Sequence, residues 1–459
     1  MKLIHARFSR LALFLLVSTC VSAQSIHAEN QAKFPIKKAP VVLISIDGLR
    51  PVDWLSASAE ELPTLNSLRE HGYFAQGVVG VTPTLTYPSH VTLITGSSPA
   101  VHGVYSNTSF DPMNINQVGW YWYASDIQSQ TLFDAARKAG LKTANVHWPV
   151  TVAEPIDFSL PQIWRTGHED DRKLVRALST PGLQDELEKK LNLSYAQGIK
   201  EDLEEDLNRA QFAQALLELK HPDFSTFYLT ALDHNQHIYG PGTQQAKDIL
   251  KTLDKTLGEM IVTTRKVNPK TVVFVVSDHG FATVNYDVNL IGAFLQNGLI
   301  QYDVASKKVT GWTAAPWFAG GAAAIVLKDP TDKAAYAKVK AVLDQLSNTP
   351  ELGIAAVYEK PTISQRGGNP LADFWVEFKL GYEMGIDPTA ALVAPSKSKG
   401  MHGYSPSNPE MQATLLVSFP NQKKGANLGT VDMRDIAPTM AKVLGVQLKN
   451  AEGHALKLN

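Results

Sequence analysis

Four separated places in the sequence supply hard or borderline metal ligands: Asp47 in ISIDGLR, Asp233 and His237 in LDHNQHIYGP, Asp278 and His279 in VVSDHG, and His402 in MHGYSP. Asp233 and His237 are four apart, so one turn of helix puts both side chains on one face. Asp278 and His279 are adjacent and would point opposite ways in a strand, so both can serve one site only from the turn that follows it. Three carboxylates and three imidazoles suffice for two metal ions once a substrate or nucleophile oxygen completes a shell. Oxygen and nitrogen donors without thiolate suit Zn²⁺, with Mn²⁺ or another divalent ion open. Alone, an Asp-His-Gly is an ordinary loop end and a DxxxH pair an ordinary surface pair; their joint placement at successive strand ends carries the reading.

A nucleophile is available in VTPTLTYPSHVTLITGSSPAVHGVYSN, where Thr82, Thr84, Thr86 and Ser89 crowd a Pro-punctuated turn. The following VTLITG reads as the start of a helix whose N-terminal amides favour an anion. No GxSxG elbow and no CxPxR cysteine is present, so α/β-hydrolase and thiolate chemistry are set aside. Help from a histidine base contributes about 10²–10⁴-fold. A metal ion lowers a bound water from about 15.7 to about 7, on the order of 10 kcal/mol for an alkoxide by analogy. Direct coordination is the larger effect, so no adjacent base is required. No clear Lys/Arg pair flanks these motifs.

These residues need a scaffold that brings strand ends together. The runs Val41–Ile46, Phe224–Leu232 and Val272–Val276 are continuous and apolar, as in strands buried on both faces of a parallel sheet. Amphipathic stretches lie between them: Gln130 to Lys138, Leu183 to Leu219, Gln244 to Lys266, Lys333 to Leu346 and Arg434 to Leu444. Alternation of this kind predicts an α/β fold with an open, mostly parallel sheet flanked by helices and a site beyond the carboxyl ends of its strands. Two segments fit the alternation badly. Residues 160–220 read as a helical insertion whose charge runs DELEKKL and EDLEEDLNR face solvent; residues 281–400 read as an inserted cap, after which TLLVSF returns to the sheet. With 459 residues, 44% hydrophobic and 19% charged, the chain can bury a large core.

The formal net charge of −1 gives no nucleic-acid-binding surface and no polybasic membrane patch. Residues 1–23 carry Lys2, Arg7 and Arg10, an apolar run from Leu11 to Val17 and a Val-Ser-Ala end, the pattern of a cleaved signal peptide too short to span a bilayer comfortably. Residues 24–39 follow as a polar linker and 40–459 as the catalytic domain. The mature chain is then exported, periplasmic or secreted, with no transmembrane segment. Cys20 is the single cysteine, so no internal disulfide forms and cysteine-ligated zinc is excluded; lipid attachment there is an alternative that Thr19 disfavours, being a poor residue before such a cysteine.

Together these motifs resemble the nucleotide pyrophosphatase/phosphodiesterase family of the alkaline phosphatase superfamily, from about Val41 to the end of the chain. The resemblance implies an alkaline-phosphatase-like fold and two zinc ions, with Asp233, His237 and His402 on one and Asp47, Asp278, His279 and the nucleophile Thr86 on the other. TYPSH, similar to the family's Thr-Phe-Pro-Asn-His, is what singles out Thr86. The resemblance also implies that Asn107 helps hold a non-bridging phosphate oxygen, that Tyr239 lies beside a nucleobase and that Tyr87 lines the substrate pocket. Ser89 and Gln236 depart from the pattern at positions that are not ligands, which bears on substrate preference. The implied activity is hydrolysis of a nucleotide-like diester or pyrophosphate through a covalent phosphothreonine. A threonine-type phosphomonoesterase on the same scaffold and a non-catalytic exported metal- or phosphate-binding protein are the alternatives. His102 and His147 read as structural, and Arg165 as a helix-flanking arginine.

Overall fold

The computed structural model describes residues 38–116, 119–196 and 200–458. The signal-like segment and nearly all of the linker, Cys20 included, lie outside the described residues. The central sheet is built around β1 (Val41–Ile46); the elements that position the site include the helix α1 (Thr86–Thr95) and the strand β2 (Thr143–Val146). Then come α2 (Leu203–Lys220), β3 (Phe224–Leu229), α3 (Ala231–Tyr239), α4 (Gln244–Val267) and β4 (Val272–Val276). β1, β3 and β4 are buried along their whole length. Burial on both faces is what their unbroken apolar runs require, because helices cover the sheet above and below.

β1 lies at the centre, parallel to β3 on one side and to β4 on the other, with Ile46 opposite Leu229 and Ser45 opposite Val276. This register brings Asp47, the start of α3 and the Ser277–Asp278 turn to one level. The sheet has eight strands; Leu415–Ser418 runs antiparallel beside β4 and carries the chain to Tyr73–Phe74 and Ala426–Asn427 at that edge. Beyond β3 lie β2 and Phe158–Leu160, both parallel.

Four local expectations need correction. The Phe224–Leu232 run ends as a strand at Leu229, and helix begins at Ala231; only as a helix can Asp233 and His237 share a face. The helix expected from VTLITG starts earlier, at Thr86, so the hydroxyl sits at a helix N-terminus rather than in the turn before one. The Leu183–Leu219 stretch is two helices: Leu183–Leu191 stops at Asn192 in the left-handed conformation (φ 49°), and α2 restarts behind the Asp202 cap, whose side chain accepts Glu205 N–H at 2.9 Å. The run EDLEEDLNR is not a solvated face, since Asp206 and Arg209 are buried and Phe212 and Leu216 join the main core with Leu253, Leu257 and Val275.

Residues 281–400 carry a four-stranded antiparallel sheet, Ala314–Phe318, Ala322–Leu327, Phe374–Phe378 and Ile354–Glu359, with its own apolar cluster. Ala282–Val288 pairs with Gly400–Met401, Ala282 opposite Met401, and so returns the chain to the sheet end where His402 follows.

Candidate active site

The site lies at the carboxyl ends of β1, β3 and β4, where parallel strands leave their loops on one side. Gly48, directly after Asp47, has φ +66° and donates its N–H to Asp278 Oδ1 at 3.1 Å. A Cβ here would stand 2.9 Å from Gln236 Nε2, which donates to Gly48 O. Gln236 therefore fills the space over the glycine and is fully buried.

Thr86 is the first residue of α1, and its Oγ1 lies 3.3 Å from His279 Nε2. The same nitrogen stands 3.1 Å from Asp278 Oδ2 and 3.5 Å from Asp47 Oδ1. On the other side, His237 Nε2 is 3.4 Å and His402 Nε2 3.8 Å from the Asp233 carboxylate. The His279 and His402 rings stack at 3.6 Å and join the two halves. All six expected ligands and the expected threonine thus meet in one place. Asp233 belongs to both halves: potential ligand atoms of Asp233, His237 and His402, and of Asp47, Asp233 and His279, lie within 4.8 Å of one another in each group.

Each of these histidines faces a backbone carbonyl with Nδ1: His237 to Gly400 O at 2.9 Å, His279 to Gly280 O at 3.0 Å and His402 to Thr84 O at 3.0 Å. A carbonyl can only accept, so Nδ1 carries the proton and Nε2 keeps its lone pair for a metal. Burial pushes His237 down to about 4 and His402 to about 3, and holds His279 neutral as well. The carboxyls move the other way. Burial raises Asp47, with Asp278 adding to it; burial also raises Asp278, and burial followed by Asp47 raises Asp233. Asp47 Oδ1, Asp233 Oδ1 and Asp278 Oδ2 are buried and accept no hydrogen bond. Converging orphaned carboxylate oxygens and neutral imidazoles are what a divalent cation satisfies, so the donor set fits metal.

Two residues that sequence reasoning passed over complete the support. Tyr228, inside β3, donates its hydroxyl to Asp47 Oδ2. His90, one turn along α1, lies 2.8 Å through Nδ1 from Thr86 O and 2.9 Å through Nε2 from Ser45 Oγ, and so ties the Thr86 backbone to β1. Tyr228 looked like one more apolar strand residue; the available signal was a hydroxyl within an otherwise buried run. Asn107 Oδ1 accepts the Tyr87 N–H at 2.9 Å, which leaves its amide to donate. That bond also takes an α1 amide that the sequence reading offered to an anion. Tyr87 itself is in the aromatic core, 1% exposed, its hydroxyl on Gln162 at 2.8 Å and its ring against Trp120 and Trp122. Tyr239 is 47% exposed at the end of α3. His102 and His147 are buried beside Thr92 and Gln162; Arg165 is exposed in a loop.

A model of the family described as type I phosphodiesterase/nucleotide pyrophosphatase matches residues 41–405, a span that holds every expected ligand from Asp47 to His402. The chain belongs to this family. Its members hydrolyse phosphoric ester and anhydride bonds and depend on metal. Venom phosphodiesterase of Naja atra is 25% identical over 260 residues, 54% of this chain and 27% of that protein. Human ectonucleotide pyrophosphatase/phosphodiesterase family member 1 is 25% identical over 262 residues, 55% of this chain and 24% of that protein. The matched stretch is therefore about a quarter of the length of these curated relatives. Among solved structures, human ectonucleotide pyrophosphatase/phosphodiesterase 5 superposes with a TM-score of 0.63 at 16% identity, covering 90% of this chain and 97% of that one. The murine protein, as an inactive threonine-to-alanine variant in complex with AMP, gives 0.63 at 17%, covering 92% and 98%. The alkaline-phosphatase-like α/β fold expected from the sequence is the fold present. No helix among the described residues is long and apolar enough to cross a membrane.

Proposed function

We propose that this chain is an exported two-metal phosphodiesterase/nucleotide pyrophosphatase that cleaves diester or pyrophosphate bonds through a covalent phosphothreonine at Thr86. The observation that carries the reading is Thr86 Oγ1 beside His279, where two groups of imidazoles and orphaned carboxylate oxygens that share Asp233 converge. Asp233, His237 and His402 would hold one ion; Asp47, Asp278 and His279, with Thr86, the other. Two divalent cations, Zn²⁺ in this reading, would supply Lewis acidity, lowering the pKa of the threonine hydroxyl and offsetting charge on the phosphorus oxygens. Thr86 Oγ1 forms its bond to phosphorus as the bond to the leaving group breaks, and water then hydrolyses the phosphothreonine and restores the hydroxyl. Asn107, oriented by Tyr87 N–H, directs its amide at a non-bridging oxygen.

The AMP complex of the murine neighbour supports a nucleotide substrate. Trp120 and Trp164, partly exposed in the cluster with Trp122, offer stacking surface where the covered Tyr87 does not. Tyr239 stands open for the same use. Export rests on the composition of residues 1–23 and on relatives named as venom and ecto-enzymes. Residues 40–459 are read as one catalytic domain, with insertions at about 160–220 and 281–400.

The test is turnover of bis-p-nitrophenyl phosphate and p-nitrophenyl phosphate by purified protein, with EDTA and Zn²⁺ add-back and a Thr86→Ala variant. Diester preference, loss with EDTA, recovery with Zn²⁺ and loss in Thr86→Ala are expected. A strong monoester preference makes the chain a phosphomonoesterase instead, and metal binding without turnover of any ester makes it a binding protein.

A further inference from the structure

His90 is fully buried on α1, one turn after Thr86. Burial pushes its imidazole down to about 3, so the ring is neutral and carries one N–H. Nδ1 faces Thr86 O, a carbonyl that can only accept, so the proton is on Nδ1 and Nε2 accepts from the Ser45 hydroxyl. Ser45 stands in β1, two residues before Asp47. Nδ1 also lies 3.6 Å from Asp278 Oδ2. Two aromatic side chains clasp the ring edge to face, Tyr228 at 4.5 Å and Trp148 at 4.7 Å between centroids. Trp148 arrives on the loop that leaves β2. There His147 (φ 66°), Val150 (φ 57°) and Ala153 (φ 63°) all take the left-handed conformation, which a β-branched residue adopts least readily. Asn145 Oδ1 accepts Trp148 N–H at 2.8 Å and the Thr151 hydroxyl donates to Trp148 O at 2.6 Å, so the strained loop is bonded in place where it meets His90. Backbone strain persists only where its surroundings over-determine it, and it clusters at functional sites.

We infer that His90 is a positioning residue for the reaction: through its Nδ1–H bond to Thr86 O it sets where Thr86 Oγ1 stands against the ligand cluster, while Ser45, Tyr228 and the strained Trp148 loop hold the imidazole. The inference rests on the phosphodiesterase reading above and adds a residue to it. Threonine places its oxygen by a single stiff torsion, so Oγ1 goes where the backbone of its turn goes. A reacting group must be held within about 0.5 Å of its productive position, and a displacement of about 1 Å costs on the order of 100-fold. His90 touches no reacting atom, so its effect falls on the placement of Oγ1 and not on the binding of a tetrahedral anion.

The experiment measures Kd for orthovanadate and for inorganic phosphate by calorimetry on Zn²⁺-loaded wild type, His90→Phe, His90→Asn and Ser45→Ala, with both Zn²⁺ equivalents titrated against a chromophoric chelator. Vanadate takes the attacking oxygen as a fifth ligand, so its affinity reports where Thr86 Oγ1 stands; tetrahedral phosphate does not. Phenylalanine keeps a ring in the clasp and removes both nitrogens, whereas asparagine carries a donor nitrogen on Cγ, as Nδ1 is, and restores the bond to Thr86 O. In His90→Phe the preference for vanadate over phosphate is expected to fall by about 10- to 100-fold with both Zn²⁺ equivalents within threefold of wild type; His90→Asn and Ser45→Ala should lie between. A preference within twofold of wild type in His90→Phe overturns the inference, as does a His90→Asn no better than His90→Phe or a wild type without preference for vanadate. Zn²⁺ affinity lost in step with vanadate affinity also overturns it, because His90 would then act on Asp278 instead of Thr86. Should His90→Phe fail to fold, Ser45→Ala decides, and an unchanged preference there overturns the inference. Turnover of bis-p-nitrophenyl phosphate is read separately: its absence in wild type overturns the phosphodiesterase reading, while the vanadate preference still reports on His90.

Discussion

Tyr228→Phe removes one oxygen and leaves the ring in place. The ring is held on both sides, 4.5 Å from His90 and 5.8 Å from His147 between centroids, and is 2% exposed, so phenylalanine fits without repacking. What is lost is the hydrogen bond to Asp47 Oδ2. Asp47 Oδ1 already has no partner, so the variant leaves both carboxylate oxygens unsupported and the carboxylate free to turn. A hydrogen bond to a charged group contributes about 1.5–3 kcal/mol, which is roughly 10- to 150-fold in affinity. Loss of a residue that orients a metal ligand typically costs about 10- to 100-fold in metal affinity, and the two routes agree. Tyr228→Phe should therefore weaken one Zn²⁺ equivalent by about 10- to 100-fold and leave the one nearer His237 and His402 less affected. Competition against a chromophoric chelator reads both equivalents. Thermal unfolding at fixed free Zn²⁺ gives a second reading, since each tenfold loss removes about 1.4 kcal/mol of metal-linked stability. A variant that binds both equivalents within threefold of wild type would refute the claim that Tyr228 orients Asp47.

Three further expectations follow from single contacts. Asn107→Ala should lower kcat/KM for a diester by about 10²–10³-fold with Zn²⁺ binding retained, since it removes one donor to the developing charge; parallel kinetics and metal titration check this, and a loss below fivefold counts against the role. Gly48→Ala should destabilise the fold by about 1–2 kcal/mol in urea unfolding, because φ is +66° and the new Cβ meets Gln236. Glu383 is buried directly opposite Asp287 in parallel register and accepts from Ser396 Oγ at 2.5 Å. Burial, with Asp287 adding, pushes its carboxyl up to about 8 from an ordinary 4.5. Between those values the folded protein holds a proton that the unfolded chain has released. Its contribution is therefore full below pH 4.5 and lost as pH rises through 8, on the order of 4–5 kcal/mol. Urea unfolding at pH 5, 6.5 and 8 should show that loss in wild type and a flatter profile in Glu383→Gln; equal slopes would place the pH dependence elsewhere.

Much of the candidate site was legible along the chain because its signals are local. Asp47, Asp278 and His279 each follow an apolar run, and a run that ends in acid or histidine marks a strand end whatever surrounds it. Asp233 and His237 declare themselves by a spacing of one helical turn, and Thr86 by its place in TYPSH. The α/β class followed from the alternation of apolar runs with amphipathic stretches. What only the tertiary structure decided depends on partners far apart in sequence, which no local period records. Tyr228 meets Asp47, and Gly48 N–H meets Asp278, only because β1 lies between β3 and β4. The three histidines present Nε2 because the carbonyls of Gly400, Gly280 and Thr84 take Nδ1, and two of those carbonyls belong to other segments. The charge run at Asp206 and Arg209 has the composition of a solvated face, yet pairing within one helical turn lets both residues be buried at the foot of α3. Tyr87, next to Thr86 in sequence, turns inward because Trp120, Trp122 and Gln162 close over it. Residue type and spacing determined which groups could do the chemistry; long-range packing decided which oxygen and which nitrogen of each was left free to do it.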